Sequence, residues 1–504
     1  MNFSKASFCR SSLSLILLTG TSLAAIAQYP GSSPVPAEFK SGFDSITQAQ
    51  CRKYLEFLAT QCEGRGSGQP GFQKAADYVA ARFKEYGLKP VGDNGTYFQS
   101  MDYTRSRLKP NGTVVAAGSF TASAGKGFAA SASKDFDLMG SAVFIKLTDS
   151  SAKLPESLDL KDKIVVLSSS VPRASNRFYV AGAAAVITVE KNAVENTWTV
   201  RRPSPISSTA RPQPSPRISG QIELSKAQAM ASALNVDPNI VDSSVVAEGG
   251  FAMKAAIDSI HFKGVIEEET VKVPNVVGLL EGSDPTLKSE MVGLGAHLDH
   301  LGIRGGVVYP GADDDGSGTT SVLAIARAFS LNPQKPKRSI LFMEFCGEEM
   351  GLVGSGYYSD HPIFPHEKMI CELQMDMVGR NEEKPDEKAS DNLDTIHLVG
   401  SKRISQELDD LVNSVNKYIN FKFEYDEEAV YTRSDHYNFA KKGIPIAFLF
   451  SGFHPDYHQP TDTIEKINFE KLSNAAKLYY LVANLAANKE GPFKRNPAGG
   501  GQEN

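Results

Sequence analysis

Cysteine is scarce in this chain, with five in 504 residues. That count excludes a small disulfide-stapled domain. Among Cys51, Cys62, Cys346 and Cys371, only Cys51 and Cys62 are close in sequence, and a helix over Gln48–Leu58 holds them too far apart along its axis to bond readily. Basic runs are absent as well. With a formal net charge of −5, the chain lacks the electrostatic footprint of nucleic-acid binding. No apolar run is long and unbroken enough to span a membrane; the one around Leu13 to Leu18 is short and interrupted by Ser, Thr and Gly. It follows Lys5 and Arg10 and precedes Ala25-Ile26-Ala27. Residues 1–27 therefore read as a secretory signal, and a secreted or periplasmic location is expected. Cys9 lies ahead of the apolar run, which argues against a lipid anchor there.

The remaining length exceeds one typical core and predicts two domains. Apolar spacing predicts helices over Thr47–Leu58 and Phe72–Tyr86, the second with Ala76, Val79, Ala80 and Phe83 on one face. From about Asp102 the pattern changes to short strands and turns rich in Gly, Ser and Ala, with a Pro/Ser-rich loop at Pro203–Pro216. From Val273 onward, strands alternate with helices such as Ser317–Phe329 and Phe469–Ala487, the pattern of an α/β sheet flanked by helices. Beyond about Asn488 no apolar pattern remains, and a solvated tail is expected.

The chemistry-bearing residues fall at the ends of the later strands. Gly293-Leu294-Gly295-Ala296-His297-Leu298-Asp299-His300 ends an apolar run in a histidine, at the edge where open α/β sheets bind ligands. Asp299 is positioned to accept the second ring N–H of His297. Gly311-Ala312-Asp313-Asp314-Asp315-Gly316-Ser317-Gly318 sets three acids in a glycine-flanked turn before a helix, whose N-terminus favours negative charge. Ser339 to Phe345 runs into Glu348 and Glu349, adjacent acids that project differently and so suit a metal ligand beside a general base. Ile370 to Met375 ends in Asp376, and Ile444 to Phe450 leads to His454 and His458. Alone, each segment is an ordinary loop or cap. Together they supply the imidazoles, the shareable carboxylate and the free carboxylate that a two-metal hydrolytic site needs.

This set resembles the dinuclear zinc exopeptidases, the family of the bacterial leucyl aminopeptidases, with glutamate carboxypeptidase and the transferrin receptor as more distant members. The similar stretches are Asn275 to Ser283, Gly295 to Asp299, Gly311 to Gly318, Glu348 to Gly351, Gln374 to Met377, Ser434-Asp435-His436 and Tyr457 to Thr463, with Gly64 to Gly68 and Gly87 to Pro90 earlier. The resemblance implies a mixed central sheet flanked by helices and two zinc ions. Asp314 would bridge them, His297 and Asp376 would complete one site, and Glu349 and His458 the other. It implies Glu348 as general base, Asp299 behind His297, Tyr431 as oxyanion donor and a cis peptide bond between Asp314 and Asp315. His454 is the rival to His458, while His261, His300, His361, His366, His397 and His436 are set aside as structural or surface residues.

Asp159 to Leu167 and Ala181 to Ile187 resemble the protease-associated domain that such peptidases carry as an insertion. The expected division is a signal at 1–27, a peptidase domain at 28–101 and 266–490, a β-rich insertion at 102–265 and a tail at 491–504. The expected partners are peptide substrates, cut from the amino terminus, with Asp313, Asp315 and Glu348 favouring the substrate ammonium. A carboxypeptidase would need a cation such as Arg304, Arg380 or Arg433. A glutaminyl cyclase uses a single zinc, and a receptor that has lost its metals would not keep a full ligand set.

Overall fold

The computed structural model describes residues 28–497 except 156, 157, 192, 193, 195, 197, 202, 204–216, 426 and 427. The expected signal, most of the Pro203–Pro216 loop and the end of the tail lie outside the described residues.

Two sheets organise the chain. In the first, the order runs Lys422–Glu424, Thr395–Val399, Ile446–Phe450, Met369–Met375, Met291–His297, Ser339–Phe345, Ile266–Leu280, Phe98–Leu108 and Thr199–Arg201. Its centre is parallel: Met291–His297 pairs with Ser339–Phe345 on one side and Met369–Met375 on the other, and Met369–Met375 pairs with Ile446–Phe450. Every residue of these four strands is buried. Helices cover both faces of such a sheet, which is why the strands are largely apolar, with Glu344, Glu372 and Gln374 as buried polar exceptions. The mixed α/β fold expected from the sequence is the fold observed, and the parallel strands deliver all their carboxyl ends to one edge.

Local sequence explains the helices around it. Thr47 caps Gln48–Gln61 by accepting from the N–H of Gln50 at 3.1 Å, and Pro70 opens Pro70–Glu85 where no intrahelical donor is needed. Gly316–Ser330 and Phe469–Asn488 pack against each other, and almost all of both helices is buried. Cys51, Cys62, Cys346 and Cys371 are buried free thiols. No helix of the described residues is long and apolar enough to cross a membrane.

The second sheet has the order Phe120–Ser123, Val114–Ala117, Phe251–Gly264, Phe136–Leu147, Ile164–Ser169, Ala185–Glu190, Ile218–Glu223 and Phe128–Ser131. It has its own apolar clusters, around Phe144, Phe262 and Met230 on one face and around Ile145, Leu167 and Phe178 on the other. The chain leaves the first sheet after Leu108 and returns at Ile266, and these two residues are themselves paired. One short strand then crosses back: Thr199–Arg201 pairs with Thr104, Arg105 and Ser106.

Candidate metal centre and active site

His297 is the last residue of Met291–His297, Glu348 and Glu349 follow Ser339–Phe345, and Asp376 follows Met369–Met375. His458 lies beyond Ile446–Phe450, and Asp314 precedes Gly316–Ser330. All of them meet at the parallel edge. His297 Nε2 is 3.2 Å from Asp314 Oδ1 and 3.5 Å from Asp376 Oδ1. On the other side of Asp314, His458 Nε2 stands 3.1 Å from Asp314 Oδ2 and 3.2 Å from Glu349 Oε2. The Asp314–Asp315 peptide bond is cis. His454 is elsewhere, with Nε2 at 3.2 Å from Asp313 Oδ2.

One residue set aside by sequence reasoning belongs here. His300 is buried, with Nδ1 at 2.8 Å from Glu349 Oε1 and 3.7 Å from Asp314 Oδ2. Two triads therefore share Asp314: His297 with Asp376, and His300 with Glu349, each with its ligand atoms mutually within 4.8 Å. The second triad has both His300 and His458 at hand. A histidine three residues after His297, in the same turn, was the available signal.

The donor set fits divalent cations. Asp314 Oδ2, Glu349 Oε1 and both ring nitrogens of His300 are buried with no hydrogen-bond partner, although His300 and Glu349 are close. Buried acceptors and imidazoles gathered this closely, with polar atoms left unpartnered, are what metal ligands present. The electrostatics agree. Burial lowers the pKa of His297, yet Asp376, Glu348 and Asp314 together hold it well above the ordinary imidazole range. His458 is likewise raised to about 9, with burial opposing and Asp314 and Glu349 prevailing. Burial pushes Asp314 up, but His300, His297 and His458 hold it well below the usual carboxylate range. Glu348 is raised well above it, first by burial and further by Asp376, against the pull of His297.

Buried polar groups behind the ligands aim them. Asp315 accepts from the backbone N–H of His297 at 3.1 Å, Gly318 at 2.8 Å and Met377 at 3.1 Å, joining three ligand-bearing segments. A Cβ on Gly318 would meet both Asp315 carboxylate oxygens and the Met375 carbonyl at 2.3–2.4 Å, so only glycine fits there. Asp462 accepts from the N–H groups of Asp313 and Asp314 at 3.0–3.2 Å. Arg65, fully buried, donates to the carbonyls of Leu298, Pro310 and Gly311 at 2.9, 2.8 and 2.7 Å, and more loosely to Leu58 and Asp314. Sequence reasoning missed Arg65, Asp315 and Asp462 as positioning groups.

Two expectations need correction. His297 Nδ1 lies 2.9 Å from the backbone carbonyl of Asp299 and 3.9 Å from its carboxylate. The Asp299 carboxylate instead accepts from the N–H of Glu348 at 3.1 Å, because the turn after His297 points it toward the next ligand loop. The Tyr431 ring packs on Gly400, with the Arg403 guanidinium 3.9 Å above its face, and also against the apolar cluster of Met377, Val430, Phe448 and Phe450. Arg433 and Tyr457 line the cleft, joined by an Arg433 Nη2 to Tyr457 hydroxyl bond of 3.2 Å. Finally, Asp313 and Asp315 are buried and committed to backbone N–H groups of Gly379, Gly318, Met377 and His297, so neither faces a substrate.

The cleft beside the first triad is small, about 40 Å³, and bounded by His297, Asp314, Glu348 and Asp376 on one wall. Met377, Val430, Phe448, Phe450 and Phe453 form the apolar remainder. Of the arginines weighed as carboxylate clamps, Arg433 lines this cleft, whereas Arg380 is paired with Asp456 at 3.1 Å.

Residues 275–483 match the sequence profile of peptidase family M28. It is 31% identical over 222 residues to a probable leucine aminopeptidase of Arthroderma otae, a match covering 42% of this chain and 57% of the relative. It is 30% identical over 228 residues to aminopeptidase YwaD of Bacillus subtilis, covering 43% and 45%. The chain thus spans about half the length of the curated relatives it matches. Its fold is that of a zinc aminopeptidase from Bacillus subtilis (TM-score 0.55, 19% identity, 88% of this chain and 96% of that one). An aminopeptidase from Aneurinibacillus sp. strain AM-1 has the same fold (TM-score 0.52, 20% identity, 92% and 100%).

Proposed function

We propose that this protein is an exported zinc aminopeptidase with two ions, removing apolar residues from the amino termini of peptides. The observation that carries the reading is the pair of ligand triads sharing Asp314, opening onto a one-side-chain apolar cleft. His297 and Asp376 would hold one ion with Asp314, and Glu349 and His458 the other, with His300 as the competing imidazole. Zinc in such a site polarises the scissile carbonyl and acidifies water. Glu348 belongs to neither triad and stands 4.0 Å from His297. Its carboxylate takes the proton from the attacking water and returns it to the leaving amine nitrogen, the work of a general base turned general acid. Glu348 and Asp376 line the cleft and meet the substrate ammonium, while Phe448, Phe450 and Phe453 receive the first side chain. Tyr431, with Arg433 beside the apolar wall as a second donor, steadies negative charge on the reacting carbonyl. The second sheet corresponds in this reading to a protease-associated insertion.

Arg433 also favours a second reading, a carboxypeptidase that clamps a terminal carboxylate. Capping peptides separates the two. Acetylating the amino terminus of a Leu-initiated peptide is expected to suppress cleavage, while amidating its carboxyl terminus leaves the rate within about twofold. The reverse pattern overturns the aminopeptidase reading.

A further inference from the structure

A second, larger cavity of about 360 Å³ is lined by His300 and Glu349 of the second triad. Its lining also includes Met350 and Arg304 from the first sheet's loops, and Trp198 and Gln221. Trp198 adjoins the crossing strand Thr199–Arg201, and Gln221 belongs to Ile218–Glu223 of the second sheet. The cavity is thus bounded jointly by the peptidase body and the inserted unit.

Volume and placement decide what it takes. A cleft of about 40 Å³ holds one side chain at most, whereas about 360 Å³ lies within the ~300–1,000 Å³ typical of ligand sites. A peptide whose first side chain fills the small cleft has its scissile bond at the metal cluster. Residues on the far side of that bond that run past Glu349 meet the large cavity, which Glu349 lines. We propose that this cavity binds the residues of an extended peptide that come after the scissile bond, with Trp198 as its specificity-determining wall. The proposal rests on the aminopeptidase reading and adds its substrate class: peptides of several residues over single amino-acid amides.

Trp198 is built for the part. Its indole is flanked by the guanidinium groups of Arg105 and Arg107 at 4.9 and 4.5 Å from the ring centroid. Those arginines are in turn paired across strands with Glu269 and Glu267. An aromatic side chain held in place in advance loses little freedom when a ligand packs on it. Contacts remote from the reacting bond then contribute to catalysis, because their binding energy holds the bond at the reacting groups. At about 3.3 Å per extended residue, two or three residues past the scissile bond reach beyond the first contacts with the metal cluster.

The test compares leucinamide with Leu-Ala-Ala-Ala on the full-length protein, its Trp198→Ala variant and Gln221→Trp, which fills the cavity from its other wall. In the wild type, kcat/KM for the tetrapeptide is expected to exceed that for leucinamide, chiefly through KM. Either substitution should lower the ratio of the two constants about tenfold, the effect of losing one aromatic anchor. Equal constants for the two substrates in the wild type overturn the proposal. So does a proportional fall on both substrates in both variants, which marks a purely structural role. No turnover of leucinamide together with cleavage of an amino-acetylated peptide refutes the aminopeptidase reading instead, and this proposal with it.

Discussion

Replacing Arg65 with Met should weaken the whole metal centre without touching a single ligand. Arg65 is fully buried and faces carbonyl oxygens, chiefly those of Leu298, Pro310 and Gly311, all within 2.9 Å. These carbonyls belong to the two loops that carry His297 and Asp314, so one guanidinium holds both loops at a fixed separation. Burial acts to lower the Arg65 pKa, with partial compensation from Cys62, Asp315 and Asp314 nearby. Methionine fills similar volume but leaves the Leu298 and Pro310 carbonyls without donors, while the Gly311 carbonyl keeps the Gly316 N–H at 3.2 Å. At about 1–3 kcal/mol for each group left unpaired, less what an entering water recovers, the cost is about 2–4 kcal/mol. That is a large share of the ~5–15 kcal/mol that stabilises a typical domain. Arg65→Lys, a point charge with three donors on a flexible stem, should recover part of it, about half. Urea unfolding gives the stability, and metal content after gel filtration reports the geometry of the two loops. An Arg65→Met protein within about 1 kcal/mol of wild type and with full metal content would refute the reasoning, since the carbonyl cluster would then be satisfied without its donor.

Glu348→Gln should retain its metal content while turnover falls about 10²–10⁴-fold, because the amide keeps the shape and loses the proton acceptor; loss of metal would make Glu348 a ligand. His436 gives a pH dependence away from the ligands. Burial lowers its pKa from 6.5 to about 3, opposed by the Tyr431 carbonyl, so the folded protein keeps it neutral. Between those values the unfolded chain binds a proton that the folded one does not, so stability present above pH 6.5 is lost as pH falls toward 3. From pH 7 to 5 the loss from this group is about 2 kcal/mol. Asp435, raised to about 7 mainly by burial, slopes the other way and is present in both wild type and His436→Gln, so the difference between their urea midpoints isolates His436. Identical pH slopes in the two proteins would remove His436 as the cause.

The residues legible in the sequence are those whose position follows from periodicity. A largely apolar run with an acid or histidine at or just past its end marks a strand end, and His297, Glu348, Glu349 and Asp376 each stand there. What periodicity cannot convey is which polar group answers which backbone atom. Arg65 lies 233 residues from Leu298, and Asp462 lies 149 from Asp313, yet these pairs fix the loops that aim the ligands. In sequence, Asp315 looks like one more acid in a solvated turn, and only its three N–H donors set it apart. A second histidine so near the first, as His300 is to His297, has an ordinary surface explanation; its burial against Glu349 removes that explanation. A motif fixes the place of Tyr431 in sequence, but its ring meets Gly400 and Arg403, which the motif does not contain. The same holds for Trp198, an ordinary residue until the crossing strand brings it into the lining of a cavity shared with His300 and Glu349. The chemistry is therefore readable from strand ends, and the positioning of that chemistry only from contacts between segments far apart in the chain.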